Sequence, residues 1–237
     1  MKYGFYFLIL LFTWACSSRE PTTFPVVRYA GAMKNVTENQ DTVNAIFLDT
    51  INPHRRLYGL GPLSGMSGEI LIIDGRPYVS KINRSGVNRV RMTYNAKSPY
   101  FVYTHVRGWQ EAELPEDSIL NNQNLGLHLE YLAKKQGINV EKPFPFMLKG
   151  RFKKLTYHIS HLPKKNASAK RPLPEETKIL SNADVIIVGF YSKHHENIFT
   201  PPGSHVVMSF MTTAASRVGQ IDELVLHGKK VQLMLPE

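Results

Sequence analysis

The run Ile-Leu-Ile-Ile-Asp-Gly-Arg-Pro-Tyr-Val at residues 70–79 constrains this chain more than any other stretch. Two β-rich segments flank an Asp-Gly dipeptide, which supports a two-residue turn with positive φ at both positions, so the segment predicts a β-hairpin. Further β-rich runs stand at residues 100–106, 155–160, 184–191 and 206–211, and Thr200-Pro201-Pro202-Gly203-Ser204 marks a turn between the last two. One helix is expected, capped at Asp117-Ser118, carrying Leu120, Leu125, Leu127, Leu129, Tyr131 and Leu132, and stopped by Gly137. Pro143 and Pro145 frame an extended passage, and the Lys- and Pro-rich residues 163–176 read as a surface loop. At 237 residues and 43% hydrophobic content the chain can bury one large or two small cores, and no disordered class is needed. The expectation is a strand-rich α/β (α+β) protein in two sheet-containing units, residues 26–142 and 143–237, divided where composition shifts near Pro143.

The first fifteen residues differ in kind. Lys2 supplies a short positive region, and residues 4–14 are apolar except for Thr13, a run too short to span a bilayer as a mature helix. Residues 1–15 therefore read as a secretory signal. It ends in Ala15-Cys16-Ser17-Ser18, which resembles the cleavage box of bacterial lipoproteins, where the cysteine becomes the first mature residue and carries the lipid. Cys16 is the only cysteine, so it has no disulfide partner within the chain, and lipidation gives it a role. A plain signal peptide with an incidental cysteine and an uncut signal anchor are the alternatives. Residues 16–25 are polar, carry two prolines and suit a flexible spacer to a membrane. The expected location is the bacterial cell envelope.

The net charge is +10, with small clusters at Arg55-Arg56, Lys153-Lys154, Lys164-Lys165 and Lys229-Lys230. No Arg-rich helix, zinc-finger spacing or aromatic RNA-binding signature accompanies them, so solvated faces near anionic headgroups are expected rather than a nucleic-acid partner.

Three ordered segments carry a family resemblance: Gly31-Ala32-Met33; Leu57-Tyr58-Gly59-Leu60-Gly61-Pro62-Leu63 running into Gly68-Glu69-Ile70 and Asp74-Gly75; and Val188-Gly189-Phe190-Tyr191. Together they resemble the α-acetolactate decarboxylase family, with weaker agreement at Pro143-Phe144-Pro145-Phe146 and from Gly219 to Leu224. The resemblance implies a two-part fold with mixed and antiparallel sheets. It also implies a zinc ion held by a His-x-His pair on one strand and a third histidine further on, an arginine for the substrate carboxylate, and acidic proton carriers. The metal would chelate the substrate's hydroxyl and carbonyl oxygens and stabilise the enediolate left when carbon dioxide departs.

This chain departs from that pattern at four positions. Val207 and Ser209 stand at the His-x-His pair, Gln220 at the third histidine and Met147 at the arginine, while Glu69 is the one acidic residue that matches. Valine has no lone pair, and a neutral hydroxyl or amide does not replace imidazole on zinc. No cofactor is therefore expected, and the protein reads as a non-catalytic binding or structural homologue. The alternative is an active decarboxylase giving acetoin and carbon dioxide, with a shifted ligand set of His205, Ser209 and His227 or Asp222. A surface sensor of small molecules or carbohydrate is a third reading. His205 also reads as an ordinary turn-proximal residue, His194-His195 as a poor chelate because neighbours on a strand point apart, and His158 and His161 as surface residues. Glu69 reads equally as a proton carrier or as a brace of the turn into the strand at Ile70. The remaining partner expectation is an unidentified small molecule in a more apolar pocket, with self-association left open.

Overall fold

The computed structural model describes residues 24–82, 88–114, 119–160, 177–225 and 231–237, with side chains from residue 124 onward in the helix that follows residue 121. Cys16, the leader, His161, the 163–176 segment and His227 lie outside the described residues.

The hairpin forms as expected. β4 (Gly68–Ile73) and β5 (Arg76–Ile82) pair antiparallel, with Ile73 opposite Arg76. Between them Asp74 and Gly75 take φ of 46° and 74°, the turn geometry whose twist matches the flanking strands. Around this hairpin stand β1 (Arg28–Ala30), β3 (Leu57–Pro62), β6 (Asn88–Met92) and β8 (Phe101–His105), while β2 (Ile46–Phe47) pairs with β7 (Lys97–Ser98) apart from them. The resulting six-stranded sheet has the order β1-β8-β3-β4-β5-β6. A five-residue helix, α1 (Met33–Thr37), precedes β2. The glycines of Leu57-Tyr58-Gly59-Leu60-Gly61 have a packing reason: a Cβ on either would stand 2.8 to 2.9 Å from the Phe101 ring on the neighbouring strand.

The second sheet holds β9 (Trp109–Ala112), β10 (Ile119–Asn121), β11 (Phe144–His158), β12 (Lys178–Tyr191), β13 (Val206–Thr212), β14 (Val218–Val225) and β15 (Val231–Pro236), in the order β10-β14-β13-β12-β11-β15-β9. Every ladder in both sheets is antiparallel among the described residues; the one parallel contact is an isolated bridge between Glu196 and Thr200. β11 changes partner along its length, from β15 at residues 147–150 to β14 at residues 154–158, and Gly150, with φ 146°, sits at the change. Because β14 also pairs with β13, strands β11 to β14 close a circuit. The strand expected at residues 155–160 is only the end of this long β11, whose prolines, glycine and lysines obscure the alternation in the sequence.

The expected helix is α2 (Asn122–Lys135); residues 119–121, expected within it, are strand β10 instead, and the Asp117-Ser118 cap lies outside the described residues. Its C-terminus closes as foreseen. Gly137 takes φ 78°, its N–H reaches the Lys134 carbonyl, and the Ile138 N–H reaches Ala133, satisfying carbonyls that the helix end would leave bare. Sheet membership changes between His105 and Trp109, so β9, β10 and α2, all ahead of Pro143, pair or pack with the second sheet. The reason is that α2 buries Leu125, Leu129, Leu132 and Ala133 against the β11–β13 surface.

Three apolar layers result. One lies between α2 and the second sheet, one beneath the outer face of the first sheet around Leu48, Ile70 and Phe101, and one between the two sheets. In the last, Tyr58, Leu60, Leu71 and Val102 meet Val188, Phe190, Val207, Met211 and Val218. No helix among the described residues is long and apolar enough to cross a membrane.

Candidate functional site

Alternation along β13 sends Val206 and Met208 toward α2, and Val207, Ser209 and Met211 toward the first sheet. Register then assembles a row across four strands. Met147 on β11 stands opposite Val188 on β12, Val188 opposite Ser209 on β13, and Ser209 opposite Gln220 on β14. Directly opposite residues have Cβ atoms about 4.5–5.5 Å apart, so these side chains share one face at contact distance. Val207 joins them one step along, opposite Phe190. All four positions singled out by the resemblance therefore converge, on the face between the sheets.

What they make there is an apolar packing surface. Val207 is 2%, Ser209 1% and Gln220 8% exposed, and Met147 packs against the same inter-sheet cluster. The Ser209 hydroxyl is buried without a hydrogen-bond partner. A zinc ion does not fit this donor set: the three positions hold a valine without a lone pair, a neutral hydroxyl and a neutral amide, and the neighbouring Met147 thioether is a poor ligand for zinc. Among the described residues no group of three or more His, Cys, Asp or Glu side chains is placed to hold a metal.

Glu69 lies on the Leu71 face of β4, fully buried, and its Oε1 accepts both the backbone N–H of Ser160, at 2.8 Å, and the Ser160 hydroxyl. Ser160 follows His158, which stands opposite Gln220, so Glu69 reaches the same interface from the first sheet. It braces two parts of the chain 91 residues apart, where the sequence suggested a local turn. Beside it the Ser80 hydroxyl donates to Asn88 at 2.7 Å, and the Asn88 amide donates to the Val218 carbonyl at 3.3 Å, a second inter-sheet bridge. Neither Ser160 nor Asn88 carried a signal in the sequence, since each is defined only by a distant partner.

Among the described residues the histidines do not gather. His205 is exposed, with its ring 5.9 Å from that of Tyr191, whose hydroxyl donates to Glu130 of α2 at 2.9 Å. It thus faces α2, while Ser209 faces the first sheet. His158 Nδ1 is 2.7 Å from Asp222. His194 and His195 aim at different partners, Glu141 at 3.0 Å and the Ser192 hydroxyl at 2.7 Å; burial lowers the His195 pKa, and its ring stacks on Phe199 at 4.8 Å. At the α2–β12 junction the Lys134 and Lys193 ammoniums hold the Glu130 carboxyl down to about 2, and burial followed by the Glu130 charge pushes the Tyr191 hydroxyl up.

Two antiparallel sheets joined by an apolar layer, with four strands presenting a common row between them, define a two-sheet protein with an inter-sheet candidate site. Residues 56–235 match the family model of alpha-acetolactate decarboxylase, and the chain belongs to that family. The fold is that of acetolactate decarboxylase from Bacillus subtilis subspecies spizizenii, with 16% identity and a TM-score of 0.66 over 89% of this chain and 86% of that one. The enzyme from Bacillus subtilis strain 168 aligns at 15% identity and 0.65 over 89% and 86%. A Staphylococcus aureus protein of unknown function similar to alpha-acetolactate decarboxylase aligns at 13% and 0.66 over 90% and 85%. No curated protein matches the chain.

Proposed function

We propose that this chain is an exported, lipid-anchored member of the family that neither holds zinc nor decarboxylates acetolactate, and acts as a binding or structural protein at the cell envelope. The observation that supports this best is the inter-sheet row Met147–Val188–Ser209–Gln220 with Val207 beside it, which offers no imidazole and no cation to a substrate carboxylate. A carbanion formed by loss of carbon dioxide needs an electron sink, and neither buried Glu69 nor His205, on the α2 side of the sheet, supplies one comparable to a metal.

The test is metal analysis of the purified chain with an acetoin assay on acetolactate. Zinc well below one per chain and no acetoin are expected. Val207→His with Ser209→His and Gln220→His is expected to bring back stoichiometric zinc, and Met147→Arg added to these some turnover. Stoichiometric zinc or acetoin from the unmodified chain would overturn the proposal in favour of a rearranged site. The anchor is tested separately by expressing the full chain and its Cys16→Ser variant in a bacterium. The parent is expected in the detergent phase of a partition with an acylated Cys16 at its N-terminus, and the variant in the aqueous phase. An intact mass retaining Met1 would refute lipidation.

A further inference from the structure

The outer face of the β5–β6 edge carries a feature separate from the inter-sheet row. The two strands pair with Val79 opposite Arg91 and Lys81 opposite Arg89, and alternation places all four on one face. Val79 packs with Ile70, Ile72 and Phe101, so this face is turned away from the second sheet. There a groove of about 580 Å³ opens, with Leu63 and Val79 as apolar lining and Lys81, Arg89 and Arg91 as charged lining. Thr93 and Asn95 add uncharged hydrogen-bonding groups to its wall.

Three cations in such proximity need a reason. Like charges directly opposite on paired strands repel, as Lys81 and Arg89 must, and among the described residues none of the three is paired with a carboxylate. Charges on an edge strand also discourage edge-to-edge aggregation, but that role does not require them to converge on an apolar-lined concavity. The volume falls within the range of small-molecule sites, and apolar walls with a few convergent charged groups are their usual make-up.

We infer that this groove binds a small organic anion, a carboxylate or phosphate monoester on a short apolar body. The charged head lies among Lys81, Arg89 and Arg91, where guanidinium forks match two oxygens at once, and the body rests on Leu63 and Val79. A concavity of single-molecule size selects a soluble ligand over a bilayer, which presents a flat array of headgroups. The inference supplies a ligand class for the binding role proposed above but stands on other residues, so zinc or acetoin in the first test would leave it intact.

Isothermal titration calorimetry of the full chain in non-ionic detergent, with hexyl phosphate, inorganic phosphate and hexyltrimethylammonium as probes, tests it. Hexyl phosphate is expected to bind saturably at one site, more tightly than inorganic phosphate and less tightly as salt rises, and hexyltrimethylammonium not to bind. Arg89→Gln with Arg91→Gln is expected to weaken hexyl phosphate by roughly tenfold or more, the scale of lost charge-assisted hydrogen bonds, while keeping or raising the thermal midpoint because repulsion is relieved. Leu63→Ser is expected to weaken hexyl phosphate but not inorganic phosphate. If the double variant fails to fold, Lys81→Gln alone, at an exposed position, carries the same expectation of weaker binding. Absence of saturable binding, or equal affinity in the charge variants, would overturn the inference. So would variant-sensitive binding to phosphatidylglycerol vesicles without binding of hexyl phosphate, which would make the face a membrane contact.

Discussion

A fully buried carboxylate must find donors, and Glu69 finds two on one residue, the backbone N–H and hydroxyl of Ser160. Ser160 is itself 2% exposed, so removing the acceptor would strand a buried N–H. Glu69→Ala is therefore expected to lower the unfolding free energy by about 1–3 kcal/mol, and Glu69→Gln, which keeps an acceptor oxygen, by less, as urea unfolding would measure. Equal stability of Glu69→Ala and the parent would refute the bracing role. Glu69 was legible in the sequence as a residue of consequence. Its partner was not, because nothing local links Glu69 to a serine 91 positions away.

At the scale of elements, α2 is held by its apolar stripe and by a charged clasp. Glu130 on the helix takes Lys134 at 2.6 Å one turn on and Lys193, just past β12, at 3.0 Å. Its carboxyl is held down to about 2 from an ordinary 4.5 by those two ammoniums. A pKa lower in the folded than in the unfolded state adds stability above the unfolded value that is lost as pH falls through the folded one. Helix docking should thus weaken between about pH 4.5 and about pH 2. Urea midpoints measured across that window are expected to fall less steeply for Glu130→Gln than for the parent, and parallel curves would contradict the clasp. The β5 hairpin and the Gly137 helix stop were readable from sequence because each rests on a conformation that glycine favours and its neighbours complete. The start of α2 was not, since pairing of Leu120 with Leu224 on β14 draws residues 119–121 into a strand.

The whole molecule is joined through the inter-sheet layer, in which residues of both sheets share one apolar cluster. Phe190, with no exposure, belongs to this cluster on β12. Phe190→Ala is expected to cost about 3–5 kcal/mol and to shift a single calorimetric transition as a unit, because a cavity there undercuts both sheets. Two separating transitions would show that the sheets unfold independently. Val207 and Met147 suit such a layer, because apolar side chains there carry no desolvation penalty and add buried apolar surface.

By itself the sequence determined the strand-rich character, the hairpin turn, the helix stop and the family, all of which rest on residue type and near spacing. Tertiary structure alone decided that Met147, Ser209 and Gln220 share one row with Val207 beside it, that they are packed rather than open, that β9, β10 and α2 belong with the second sheet, and that Lys81, Arg89 and Arg91 line one groove. The difference follows from register: strand partners are distant in the chain, as Trp109 on β9 and Pro236 on β15 are, and a side-chain bridge spans the 130 residues between Asn88 and Val218. Which face a side chain joins is set by the whole ladder rather than by its neighbours in the chain.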